Sequence, residues 1–140
     1  MEMSVSLSQK GDEEYFSTNS DGNRVEIDML PHGSKKAQSP MELLLSGVVA
    51  CAAVDIVSMI KKRRKTLTHF EGKASGNRRD EYPRKFTDIT ISYRLTSPDL
   101  KDEEAEKIIG LAVEKYCSVA GSLSETTVLK HDFEIVRPDE

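Results

Sequence analysis

One stretch of this chain limits the folds open to it more than any other. Residues 39–65, SPMELLLSGVVACAAVDIVSMIKKRRK, are an almost unbroken apolar run closed by five basic residues. The run predicts a single helix of about 25 residues. Ser39 can accept a hydrogen bond from the N–H three residues on, and Pro40 gives up an N–H that has no partner in a first turn. Glu42 can reach back to the Ser39 N–H, which completes a capping box and sets the start. Lys61, Lys62, Arg63, Arg64 and Lys65 stand where the last carbonyls of a helix gather negative partial charge, and they set the stop. A helix apolar nearly all round is expected to be enclosed by protein on most sides.

One stripe of this helix departs from the pattern. At about 100° per residue, Leu44, Gly47, Cys51, Asp55 and Ser58 fall within about 40° of the Cys51 direction. The stripe fits a packing face, in which Gly47 admits a neighbouring backbone, Asp55 is paired and Cys51 is a small inert apolar group. It also fits a site, because a carboxylate in an apolar helix needs a partner and a thiol beside it can react.

The length of 140 residues predicts one domain, 1–140, with room for a core. A net charge of −4 argues against nucleic acid as the main partner. The KKRRK cluster reads as a dipole-matched helix end rather than a basic patch. The opening MEMSVSLSQKG has no basic region followed by an apolar run, so no signal peptide is expected. Residues 43–60 are long enough to raise a membrane span, but Asp55 near their middle would be costly in lipid. A cytoplasmic protein without a membrane partner is expected, and in a reducing compartment two cysteines predict no structural disulfide.

Along the chain, residues 3–8 and 14–18 read as strands, followed by a Ser20-Asp21-Gly22-Asn23 turn. Residues 24–30 alternate Val25, Ile27 and Met29 inward against Arg24, Glu26 and Asp28 outward. A polar loop, 31–38, leads into the central helix. After it, 67–75 and 86–96 form two strands, the second with Ile89, Ile91, Tyr93 and Leu95 on one face. Asp99 is the expected N-cap of a second helix, in which Ile108, Ile109, Ala112, Val113 and Tyr116 recur at helical spacing. Cys117 falls where that pattern ends, and 126–136 close the chain as a strand. The order β-β-β-α-β-β-α-β predicts an α+β fold with antiparallel sheet and two helices against it.

The chemistry narrows by elimination. There is no Gly-rich phosphate loop, CxxC or HExxH, and His32, His69 and His131 lie in separate segments without ligand spacing, so neither a metal nor a cofactor is expected. Cys51 and Cys117 remain. Two thiols of this kind are often inert core residues. Cys51, however, lies on the polar stripe, and Cys117 lies at a helix boundary, where free N–H groups can stabilise a thiolate.

The runs SPMELLLSGVVACAAVDIVSMI, YPRKFTDITISY and EKYCSVAGSL resemble the OsmC/Ohr family of thiol peroxidases, and within it the YhfA-like branch. The resemblance spans essentially the whole chain. It implies an intertwined homodimer, with sheets from both chains wrapped around two central helices and active sites at the subunit interface. It also implies reduction of organic hydroperoxides in oxidative-stress defence, with Cys51 as the peroxidatic and Cys117 as the resolving cysteine. A lipoyl-type or other small dithiol reductant would then reset the disulfide. Family peroxidases carry a glutamate ten residues before the first cysteine and an arginine in the N-terminal strands. Here Met41 is ten before Cys51, and Glu42, nine before, points to the opposite side of a straight helix and suits the capping box. The stretch QKGDEEYF holds no arginine, which leaves Arg24, Arg78, Arg79 or Arg84 as a cation from elsewhere, Arg84 first because it lies in YPRKF. Asp55, one turn from Cys51, would disfavour a thiolate unless such a cation offsets it. The alternative is a small-molecule binding dimer of the same fold without turnover.

Overall fold

The structure is a computed structural model of the chain, and residues 1–138 are described. They fall in two compact units, Met1–Leu44 and Leu45–Glu140. In the first, β1 (Val5–Gly11), β2 (Glu14–Asn19) and β3 (Arg24–Asp28) form an antiparallel sheet in the order β1-β2-β3. The β2–β3 turn follows from its residues: the Asn19 side chain accepts from the N–H groups of Asp21 and Asn23, and Gly22 has a φ of +85°. Two expectations for β3 change. Asp28, expected outside, is 1% exposed, because the loop behind it folds back and donates to its carboxylate from the Lys36 and Ala37 N–H groups at 2.7 and 2.9 Å. Lys35 adds an ion pair and holds the Asp28 carboxyl below its usual range. Val25 and Met29, expected inward, are 45% and 56% exposed.

The helix α1 (Pro40–Lys62) starts as expected: the Ser39 N–H donates to Glu42 at 2.9 Å, and the Glu42 N–H donates to Ser39 Oγ at 3.3 Å. It stops three residues before Lys65, because Arg64 takes a left-handed φ of 57° and the Arg64 N–H turns back to the Lys61 carbonyl at 2.9 Å. Part of the basic cluster is engaged: Arg63 and Lys65 each lie 3.5 Å from Glu104.

In the second unit, β4 (His69–Arg78) pairs antiparallel with β5 (Phe86–Thr96). β6 (Val128–Val136) pairs with β5 in parallel, where antiparallel sheet alone was expected. The reason is the connection: a helical crossover separates β5 from β6, and a crossover returns the chain in the same direction. The alternation in β5 holds, with Ile89, Ile91, Tyr93 and Leu95 all buried. They share the core with Val48, Ala52, Ile56 and Ile60, a row at four-residue spacing on α1, and with Ala105, Ile108, Ile109, Ala112 and Val113. Burial of α1 is confined to that row: Val54 is 69% exposed, so a single chain does not enclose the helix on most sides.

The crossover helix α2 (Asp102–Leu111) begins after Lys101 rather than at Asp99. Asp99 is instead an acceptor for the Thr66 N–H at 2.8 Å, and Ser97 Oγ accepts from the Asp99 and Leu100 N–H groups. Beyond α2, Ala112–Tyr116 form a π turn. Its extra residue shifts the phase of the helical face. Tyr116, expected on the buried face, is therefore 49% exposed, and Cys117 comes back onto it at 5%.

Candidate dithiol site

Cys51 and Cys117 are brought together in the second unit. Cys51 is half-buried on α1, Cys117 is buried, both are free thiols, and they lie near enough for Cys51 to push the Cys117 thiol up. Local sequence explains each placement. Cys51 comes one residue before Ala52 of the buried row, at the edge of the face that α1 turns to the core. Cys117 leaves helical geometry with ψ of 105° and becomes the N-cap of α3 (Ser118–Gly121), its Sγ accepting from the Ala120 N–H at 3.4 Å. Its S–H points back at α1, 3.8 Å from the Val48 carbonyl. Gly47, one turn before Cys51, faces Val119, whose methyls would lie 3.6 and 3.9 Å from a Cβ there, an ordinary contact distance.

Electrostatics act on the buried member of this pair. Burial pushes the Cys117 thiol up, the Ala120 N–H opposes that, and Cys51 adds to it. Cys117 is thus held as a thiol. Asp55 is half-buried and lines a cavity of about 320 Å³ with Ser58, Met59, Lys62 and Tyr116. Among the described residues no cation pairs with it.

The arginines are occupied locally. Arg84 lies 4.5 Å over the Tyr82 ring in the β4–β5 connection, and its carbonyl accepts from Arg78 Nε at 2.7 Å. Arg79 donates to the Pro83 carbonyl at 2.7 Å, and Arg24 lies 3.7 Å over Phe16. Glu42 caps α1. Among the described residues no group of three His, Cys, Asp or Glu side chains is placed to hold a metal.

Tyr93 is the residue that sequence reasoning passed over, because it was counted with the apolar face of β5. It is 3% exposed, and its hydroxyl donates to the Val49 carbonyl at 2.7 Å. Burial first, then Cys117 and Cys51, push its phenol far above the ordinary value. A usable signal was present: a tyrosine in a buried alternating face needs a partner for its O–H.

Comparisons with known proteins bear on the family and the fold. The family of OsmC-like proteins matches residues 33–132. Protein YhfA of Escherichia coli K12 is 35% identical over 122 residues, covering 87% of this chain and 90% of YhfA. A hypothetical protein from Aquifex aeolicus superposes with a TM-score of 0.86 at 27% identity, covering 99% of each chain. The organic hydroperoxide resistance protein OhrB of Bacillus subtilis shares the fold, with a TM-score of 0.63 at 18% identity over 94% of this chain and 98% of OhrB. With the family matched over most of its length and a relative above 30% identity across nearly all of it, this chain belongs to the OsmC-like protein family.

Proposed function

We propose that this protein is a thiol-dependent peroxidase that reduces organic hydroperoxides, with Cys51 as the attacking and Cys117 as the resolving thiol. The observation that carries the reading is the nearness of the two thiols, one on α1 and one at the break after α2. The Cys51 thiolate attacks the terminal peroxide oxygen, the O–O bond breaks, and the alkoxide takes a proton to leave as an alcohol. Cys51 is left as a sulfenic acid. The Cys117 sulfur then displaces its hydroxyl, giving the disulfide and water. A small dithiol, of lipoyl type for example, returns both thiols and leaves as its own disulfide. Burial suits Cys117 to the second step: a thiol kept protonated does not compete for peroxide. The cavity beside Asp55 and Tyr116 offers space for the organic part of the substrate.

The proposed working unit is a cytoplasmic homodimer of one OsmC-like domain, without a membrane or nucleic-acid partner. Two observations support a second copy: the exposed side of α1 around Val54, and the exposed Val5 and Leu7 of β1. α1 is long and apolar enough to cross a membrane, yet its buried row packs with strands and helices of its own unit. The partner subunit would supply a cation near Cys51, with Arg84 as the first choice and Asp55 as its counter-ion.

The test is a count of free thiols with intact mass on reduced protein, before and after one equivalent of an organic hydroperoxide. Hydrogen peroxide and the Cys51→Ser and Cys117→Ser variants run alongside. Rapid loss of both thiols with a decrease of about two daltons, abolished in Cys51→Ser, supports the reading. Persistence of both thiols overturns it and favours a binding dimer without turnover.

A further inference from the structure

The turn of α1 that carries Cys51 receives two side-chain hydrogen bonds that a helix does not need. The Val48 and Val49 carbonyls serve the helix ladder, each taking the N–H four residues on. Val48 also accepts from Cys117 Sγ at 3.8 Å, and Val49 also accepts from Tyr93 Oη at 2.7 Å. One bond ties the turn to the segment bearing Cys117, the other to strand β5.

The Tyr93 ring has little freedom. Gly72 stands opposite it across β4 and β5, and a Cβ at Gly72 would lie 2.7 Å from two ring carbons. Phe70 stacks on the ring at 5.2 Å with planes 21° apart. A phenylalanine would fill the same space, so the hydroxyl is the part that calls for a reason. Burial favours its protonated form, the form that donates.

We propose that Tyr93 is a positioning residue for the Cys51–Cys117 pair, anchoring the α1 turn that carries Cys51 so that the two sulfurs meet. The proposal rests on the reading of these thiols as a redox pair, but not on peroxide as their oxidant. Its direction follows from the chemistry of oxidation. Disulfide formation removes the Cys117 S–H, so the Val48 carbonyl loses its second donor, whereas Tyr93 keeps its bond to Val49. The hydroxyl therefore bears more of the oxidised form than of the reduced form.

The test equilibrates wild type and Tyr93→Phe with mixtures of reduced and oxidised glutathione. Two protein thiols and one glutathione disulfide give the protein disulfide and two glutathione thiols, and the equilibrium constant is the effective molarity of the pair. Alkylation of remaining thiols and intact mass give the fraction oxidised. Tyr93→Phe is expected to lower the constant about five- to tenfold, the effect of one buried hydrogen bond. A general loss of fold stability does not move this constant while the protein stays folded. A value within twofold of wild type overturns the proposal, whatever the melting temperature. If Tyr93→Phe does not fold, Phe70→Leu, which loosens the ring and leaves the hydroxyl, is expected to lower the constant about two- to threefold, and no change overturns the proposal. A wild type that forms no disulfide in any mixture overturns the paired-thiol reading itself, and the proposal with it.

Discussion

Replacing Gly72 by alanine tests the packing that supports the dithiol site. A Cβ there would lie 2.7 Å from Tyr93 Cδ1 and Cε1 and 3.1 Å from Val49 Cγ2, where carbon atoms prefer about 3.5–4.0 Å. The ring cannot yield freely, since Phe70 stacks on it and its hydroxyl is bound to Val49. Overpacking of this kind costs about 1–3 kcal/mol. The lower entropy of unfolded alanine returns about 0.4–1 kcal/mol. The net expectation is a loss of about 1–2 kcal/mol, or a melting temperature lower by roughly 3–8 °C in a chain of this size. Gly110→Ala is the internal control. Gly110 lies in α2 with nothing within 4 Å of a Cβ, so the same substitution should stabilise by about 1 kcal/mol through helix propensity. Thermal unfolding followed by circular dichroism separates the two signs. A Gly72→Ala protein that melts at or above wild type would refute the close approach of β4, Tyr93 and α1.

Two further outcomes test other parts of the chain. Ser39→Ala removes the acceptor at the start of α1 and should destabilise by about 1 kcal/mol, while the alkylation rate of Cys51, three turns away, stays unchanged; a changed rate would tie the helix start to the site. Lys35 holds the Asp28 carboxyl below its ordinary value of 3.8, so the stability this pair supplies is present above that pH and fades as pH falls through the folded value. Asp28→Asn should therefore melt below wild type at pH 7, with the gap closing below about pH 4. A gap constant across that range would remove the Lys35 pair as its cause.

Much of this protein was legible in local pattern. The capping box of Ser39, Pro40 and Glu42, the alternation in β5 and the Asn/Gly turn before β3 each act over a few residues, and each stands where sequence placed it. Glu42 was rightly assigned to the cap. Arg84, favoured from its motif, is held over Tyr82 within one chain, because a motif records which residues are near in sequence and not which cation reaches a thiol. The phase of the helix before Cys117 was missed since a π turn leaves no period of its own in five residues.

Asp28 shows the same boundary. Its alternation pointed outward, and only the return of the loop carrying Lys35, Lys36 and Ala37 makes burial of a carboxylate tolerable. Sequence by itself determined the start of the long helix, the order of the elements and the buried face of β5, because those properties depend on neighbours a few residues away. The tertiary structure decided that β6 runs parallel to β5, that Cys117 turns in while Tyr116 turns out, and that Tyr93 bonds to the turn before Cys51. Those depend on groups distant along the chain meeting in space, where hydrogen-bond geometry and close packing select among arrangements that local pattern leaves equal.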